Sequence, residues 1–293
     1  MVDGLVVVDK PAGWTSHDVV GKLRKVYGQR RVGHAGTLDP DATGVLLVGL
    51  GRATRLLRFL QEAGKSYRAR IQFGIATDTL DAAGAVLERA EMALTREQVE
   101  KATSAFLGDI EQIPPMVSAI KVGGRKLYEM ARAGEEIERA PRPVRIDAFV
   151  VEEFEPGPYP QATARVDCST GTYIRSLASD LGTALGGCAH LAELRRLRVG
   201  SFTDAEATDL ETIEATPNTH VLTPAQAMRD LPAVTVDDDG ARAVSHGSTS
   251  LTLAMEAPET GMFAVFDEQG TLLAVYERRG KGAKPVVVMA GQG

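Results

Sequence analysis

The stretch Gly33–Val48, GHAGTLDPDATGVLLV, constrains this chain more than any other. Val45–Leu50 is an apolar, partly β-branched run and reads as a buried strand. A polar loop feeds directly into it. Within that loop Asp39-Pro40 starts a turn, because proline fixes its own φ and pushes the preceding residue toward extended backbone. Gly33, Gly36 and Gly44 permit a positive φ or a close backbone approach. Asp39 is therefore expected at the mouth of the core, where a held carboxylate can act as nucleophile or general base. Asp-Pro is also a common turn starter, so the loop alone leaves a purely structural role open.

The rest of the chain alternates strands and helices. Gly4–Asp9 reads as a strand, broken at Lys10-Pro11-Ala12-Gly13. Thr15 or Ser16 can cap the helix that follows, roughly His17–Tyr27, with Val19, Val20, Leu23 and Val26 on one face. A helix is expected over Ala53–Ala63, closed by Gly64. Tyr67–Phe73 is a strand of alternating basic and bulky residues, and Thr77–Gly84 is a polar turn. Thr95-Arg96-Glu97-Gln98 forms a capping box for a helix that stops near Gly108. Val144–Phe154 and Ala162–Cys168 are strands, and a helix from Gly171-Thr172-Tyr173 reaches about Leu185. Arg175 lies in its first turn, poorly placed for the helix macrodipole, and a partner carboxylate would give it a reason to be there. His190–Phe202 is a strand. Pro232–Met289 reads as short strands with turns at Gly240, Gly247, Gly261 and Gly270.

Several function classes lack their marks. Gly49-Leu50-Gly51-Arg52-Ala53-Thr54 half-matches a dinucleotide fingerprint, but Thr54 stands at the third glycine position and no parallel βαβ unit follows. Gly64-Lys65-Ser66 ends like a P-loop, but Phe59 stands where its first glycine must be. Cys168 and Cys188 form no disulfide framework and carry no metal spacing. No apolar run approaches the ~18 residues of a membrane span, and the N-terminus does not read as a signal peptide. A reduced cytoplasmic setting is expected.

The 293 residues suggest one large or two smaller domains. Net charge is −6, but it is segregated. Residues 21–70 hold eleven Lys/Arg against three acids, whereas residues 200–240 hold nine acids against Arg229. Residues 121–146 add seven Lys/Arg against four Glu, with glycines at Gly123, Gly124 and Gly134. Basic regions beside the candidate loop are the electrostatic footprint of a phosphate backbone, although solvated helix faces produce such clusters too.

The Asp39 stretch closely resembles the signature G-H-x-G-T-L-D-P-x-A-x-G-V-L of RNA pseudouridine synthases of the TruB type, and every fixed position is present. K-P-x-G-x-T-S at Lys10–Ser16, K-x-Y at Lys65–Tyr67, T-D-T-x-D-x-x-G at Thr77–Gly84 and G-T-Y-I-R-x-L at Gly171–Leu177 resemble further motifs of that family. The resemblance implies an α+β fold, with a mixed, mainly antiparallel central sheet flanked by helices and a small β-rich C-terminal PUA-like domain. It implies a catalytic domain over residues 1–225, an inserted basic segment at 121–146 that clamps RNA, and an RNA-binding domain over 226–293. Asp39 would be the catalytic residue, paired with Arg175, and Tyr67 would stack on the target uracil and support the chemistry. His34 would pack against the displaced RNA stack, with Tyr173 and Leu194 lining the site. Lys10, Lys65, Lys121, Arg125 and Lys126 would contact substrate. The substrate implied is the T-arm loop of tRNA, with uridine 55 as target. Isomerisation transfers no electrons to a carrier, so neither cofactor nor metal is expected. A monomer with no membrane attachment and no obligatory protein partner completes the expectation.

Overall fold

Local sequence signals account for most element boundaries in the computed structural model, which describes residues 1–116, 121–122, 125–126, 130, 137–247, 258–280 and 282–289. The chain forms two compact units. The first is Met1–Pro40 with Val45–Gln61 and Gly200–Gly293; the second is Asp41–Gly44 with Glu62–Val199.

The first unit opens with β1 (Gly4–Lys10) and α1 (Ser16–Val26). Thr15 caps α1 through a complete capping box with Asp18. β2 (Val32–Ala35) pairs antiparallel with β3 (Thr43–Leu50), Val32 opposite Leu50 and Ala35 opposite Leu47. β1 is the other neighbour of β3. Gly44–Leu50 is buried throughout, as its composition demands. Gly33 and Gly49 face each other, and Leu57 sits over them. Cβ atoms at these glycines would stand 3.3 and 3.0 Å from its side chain.

The helix expected over Ala53–Ala63 is broken. Gly51–Arg55 is 3₁₀, and α2 spans only Leu57–Gln61. The Thr54 hydroxyl donates to the Gly51 carbonyl at 2.7 Å, a bond three residues back that competes with the α-helical ladder. β1 also bonds residues far along the chain. Leu5 exchanges both backbone bonds with Leu222, at 2.9 and 2.8 Å, and Thr208 bonds Val7 and Asp9.

The second unit is built on β4 (Lys65–Phe73), whose Tyr67, Ala69, Ile71 and Phe73 are buried while Arg68 is exposed. β5 (Ile75–Thr77) and β6 (Val86–Arg89) flank the Thr77–Gly84 turn. α3 (Arg96–Thr103) starts at the expected Thr95 capping box. β7 (Gly108–Gln112) follows, then β8 (Lys121–Val122) and β9 (Arg125–Lys126), which pair with each other. β10 (Arg142–Glu155), β11 (Gln161–Cys168), α4 (Ile174–Ala184) and β12 (Ala189–Val199) complete the unit.

Its strand order is β12–β4–β11–β10–β7, antiparallel throughout. Thr43 and Gly44 pair in parallel with Arg195 and Arg196 of β12. Gly44 has φ 97°, and a Cβ there would lie 2.2 Å from the Arg196 carbonyl oxygen, so glycine is required. The basic segment expected over 121–146 is already regular strand from Arg142 onward. Its residues 123–124, 127–129 and 131–136 lie outside the described set.

The chain then returns to the first unit with β13 (Phe202–Thr203), α5 (Leu210–Ala215) and α6 (Pro224–Ala227). A C-terminal sheet follows: β14 (Ala233–Val236), β15 (Met262–Asp267), β16 (Leu272–Arg279) and β17 (Gly282–Val288), with β14 parallel to β15 and the others antiparallel. α7 (Asp238–Ser245) contradicts the reading of Gly240 as a turn. Asp237 caps it, accepting from the Gly240 amide at 2.8 Å, and Val244 packs among Phe263, Val265 and Tyr276. The architecture is of the α+β class, with a mixed, mainly antiparallel sheet. Among the described residues, no helix is long and apolar enough to cross a membrane.

Candidate active site

Asp39 follows β2 on a loop anchored on both sides. Lys10, the last residue of β1, is fully buried. Its ammonium donates to the carbonyls of Pro11 (2.9 Å), Trp14 (2.6 Å) and Pro40 (2.8 Å). The Gly13 amide adds a bond to the Pro40 carbonyl at 3.0 Å. The buried Ser16 hydroxyl accepts from the Leu38 amide at 2.9 Å and lies 3.2 Å from the Leu38 carbonyl. Leu38 is buried and Asp39 half-buried, so the carboxylate stands between two fixed neighbours. The sequence reading gives Lys10 to the substrate, but its ammonium is enclosed and grips the loop. His34, opposite Val48, is met edge-on by His17 of α1, with ring centroids 5.4 Å apart. His17 carries no mark in the sequence.

Arg175 opens α4 with only 6% of its side chain exposed. Its Nη1 lies 3.3 Å from Asp81 Oδ2 and donates to the Thr79 carbonyl at 3.2 Å. This carboxylate partner, which the sequence reading does not single out, comes from the Thr77–Gly84 turn. The turn fixes Asp81 in place. Oδ1 accepts from the Thr79 hydroxyl at 2.6 Å and from the Ala83 amide at 3.1 Å, while the Thr77 hydroxyl donates to the Asp81 carbonyl at 2.7 Å. A Cβ on Gly84 would lie 2.3 Å from the Thr79 hydroxyl oxygen, which explains the glycine. Leu80, at φ 63°, accepts from the Leu191 amide at 3.0 Å, and Ala82 returns a bond to the Leu191 carbonyl at 3.0 Å. One carboxylate oxygen thus serves the turn and the other the guanidinium.

Tyr173 holds the N-cap position of α4. Gln112, buried at the end of β7, clamps its backbone, accepting from the amide at 2.7 Å and donating to the carbonyl at 3.0 Å. Tyr173 lines an open cavity of about 410 Å³ with Arg142, Pro143, Val144 and Gly171. Tyr67 is buried on β4, opposite Val166 and Arg196, and Leu194 is half-buried on β12, opposite Ala69. Lys65 is buried and donates to the Ala63 carbonyl at 2.8 Å. Burial, with Arg196 nearby, pulls its pKa from 10.5 to about 8. Its ammonium, like that of Lys10, lies inside and not on a surface that RNA can reach. On β8 and β9, Lys121 is opposite Lys126 and Val122 opposite Arg125. The side chains of Lys121, Arg125 and Lys126 lie outside the described set.

Comparison with known proteins decides the family. Residues 24–174 match the N-terminal domain of TruB family pseudouridylate synthases, residues 175–230 a tRNA pseudouridylate synthase B C-terminal domain, and residues 231–290 a tRNA pseudouridine synthase II C-terminal domain. The chain belongs to the TruB family. It is similar to the tRNA pseudouridine synthase B of Thermobifida fusca, 46% identical over 99% of this chain and 100% of that protein. The Symbiobacterium thermophilum protein of the same name is 50% identical over 84% of this chain and 82% of its own length. Among solved structures, an H/ACA RNP bound to a substrate RNA containing 2′-deoxyuridine holds a chain 25% identical, with a TM-score of 0.77, covering 99% of this chain and 86% of that one. A Cbf5-Nop10-Gar1 complex gives 28% identity and a TM-score of 0.77, over 97% and 83%. The TruB-family matches change over at Ile174–Arg175, inside the first turn of α4, and so do not follow the structural units.

Proposed function

We infer that this protein isomerises a uridine of tRNA to pseudouridine, acting on uridine 55 in the T-arm loop. Membership of the TruB family along nearly the whole chain supports the reading. The observation that carries it is Asp39, half-buried within a full family motif between two anchored neighbours. The reaction breaks the bond from N1 of the base to C1′ and joins C5 to C1′. C5 gives up its hydrogen as a proton and N1 gains one, so electrons balance within the substrate.

Asp39 is the anionic group that attacks the nucleoside or abstracts its proton. We assign Arg175 as its partner on the G-T-Y-I-R-x-L motif that carries it. The target leaves its stack at a cost of a few kcal/mol. Tyr67 stacks on the flipped uracil, Tyr173 and Leu194 border it, and His34 fills the vacated stack. Residues 121–146 clamp RNA through Lys121, Arg125 and Lys126, and residues 226–293 form a PUA-like domain that adds affinity. The protein works in the cytoplasm as a monomer.

The test uses purified chain alone and unmodified tRNA tritiated at uridine C5. One equivalent of label should be released, with pseudouridine mapping to position 55 only. No release without added RNA or protein would overturn this reading in favour of a component that needs partners, the solved relatives being an H/ACA RNP and a Cbf5-Nop10-Gar1 complex.

A further inference from the structure

Two segments of the first unit, residues 19–38 and 45–61, contain no acidic residue and hold eight Lys/Arg. The fold lays them side by side. The Gly51 amide donates to the Arg31 carbonyl at 2.8 Å, and Arg31 Nε to the Thr54 hydroxyl at 3.2 Å. Arg24 Nη2 reaches the Val32 carbonyl at 3.2 Å, Arg55 Nη1 donates to the Val288 carbonyl at 2.8 Å, and Leu57, the neighbour of Arg58 in the chain, seats over Gly33 and Gly49. Of the eight cations, Lys22 pairs with Glu214 and Arg52 with Asp3. The other six, Arg24, Lys25, Arg30, Arg31, Arg55 and Arg58, are exposed, and none makes an ion pair among the described residues.

The arginines of β4 behave differently. Arg68 is met by Glu152 at 3.0 Å and Glu153 at 3.1 Å, and Arg70 by Glu155 at 3.4 Å and Glu193 at 3.5 Å. A chain of net charge −6 that leaves six cations unneutralised on one surface holds a positive field against its own average. The helix dipole accounts for Arg24 and Lys25, in the last turn of α1. It does not account for the other four.

We propose that this surface docks an RNA phosphate backbone at phosphates other than that of the reacting nucleotide; the identity of the RNA as tRNA rests on the function proposed above. Guanidinium groups match phosphate oxygens in pairs, and four of these side chains are exposed arginines outside the helix end. β2 runs from the patch at Val32 to Ala35, where the Asp39 loop begins. At about 3.3 Å per residue these three steps are a separation of roughly 10 Å. The patch therefore sets affinity and orientation, and leaves bond-breaking to the loop.

The experiment compares wild type, a quadruple variant (Arg30→Gln, Arg31→Gln, Arg55→Gln, Arg58→Gln) and a control double variant (Arg68→Gln, Arg70→Gln). Binding of a full-length tRNA transcript is measured across salt concentrations, and conversion under single turnover at saturating enzyme. For every duplex phosphate that a variant no longer neutralises, the slope of log affinity against log salt should shrink by about 0.9, so the quadruple variant should show a slope smaller by about 2 to 4. Its conversion rate should stay within about twofold of wild type, and the control slope should not move. If the quadruple variant unfolds early in a thermal melt, the single variants Arg31→Gln and Arg58→Gln replace it, with an expected reduction of about 0.9 each. An unchanged slope in folded variants overturns the proposal, as it would if the patch served a protein partner. So does an equal reduction in the control. Wild-type protein that makes no pseudouridine, yet shows the slope change, defeats the proposed reaction and leaves the patch standing.

Discussion

The Asp39 loop and the Arg175 shell meet one requirement with opposite charges. Near Asp39, a buried cation holds backbone: Lys10 bonds the Pro11, Trp14 and Pro40 carbonyls. Around Arg175, a carboxylate holds a side chain: Asp81 reaches the guanidinium with one oxygen while its own turn holds the other. The first arrangement fixes where a loop runs. The second fixes where a charge points and offsets it. Loss of Lys10 should therefore appear mainly as lost stability, and loss of Asp81 mainly as a slower reaction.

The largest effect should come from the group that both arrangements are proposed to serve. Asp39→Asn keeps size and hydrogen bonding but loses the anion. It should release no detectable C5 tritium, with tRNA affinity within about tenfold of wild type, or 1.4 kcal/mol. Asp41→Asn, two residues on, should retain most activity; equal losses in both would mean that loop acidity, not one carboxylate, is at work.

Asp81→Asn preserves the acceptor for Thr79 and Ala83 but removes the charge facing Arg175. A charge-assisted hydrogen bond is worth about 1.5–3 kcal/mol, so single-turnover conversion should fall about 10- to 100-fold at nearly unchanged stability. Normal conversion with a lowered melting point would make Asp81 a staple like Lys10 and erase the contrast.

Lys10→Met takes the ammonium from three carbonyls, of which Pro40 keeps the Gly13 amide, and removal of a buried charge offsets part of that cost. A net loss of about 2 kcal/mol in urea unfolding is expected, with conversion reduced less than about tenfold because Ser16 and Gly13 still hold the loop. Intact stability with abolished conversion would place Lys10 in the chemistry.

Lys65 sharpens the contrast most gently, as a buried ammonium that bonds the Ala63 carbonyl beside the cation of Arg196. Its folded pKa of about 8 is below its ordinary 10.5, so between those values the unfolded chain holds a proton that the folded chain has released. Stability contributed by this group must then rise with pH across that window, by an amount on the order of 2–3 kcal/mol. Lys65→Met should flatten the rise in urea midpoint from pH 8 to 10.5; an identical profile would mean that Lys65 does not titrate there.

The strands and the Asp39 loop are legible because their signals are local: an apolar run, an Asp-Pro turn, a capping threonine. The anchors of the site are less so. Lys10 bonds carbonyls, which every residue carries, so no partner is marked in the sequence. Asp81 and Arg175 are 94 positions apart. Arg68 and Arg70 count as a basic run in sequence, yet their glutamates arrive 85 residues later on β10. Gly240 hides a helix because three aspartates offer a cap and a favourable first turn that outweigh one glycine. Thr54 breaks a helix through one hydroxyl bond that no apolar periodicity reveals.

The backbone bonds of β1 to Thr208 and Leu222 also set an order of events during synthesis. At about 5–20 residues per second, some 200 residues take roughly 10–40 s to add. Throughout that interval β1 offers unpaired backbone groups to any neighbouring extended chain, and Lys10 stands at its end. Arg52, which joins Asp3 to the Met289 carbonyl, waits longer still. The carboxylate loop thus leaves the ribosome well before the strand that anchors it can be fully paired.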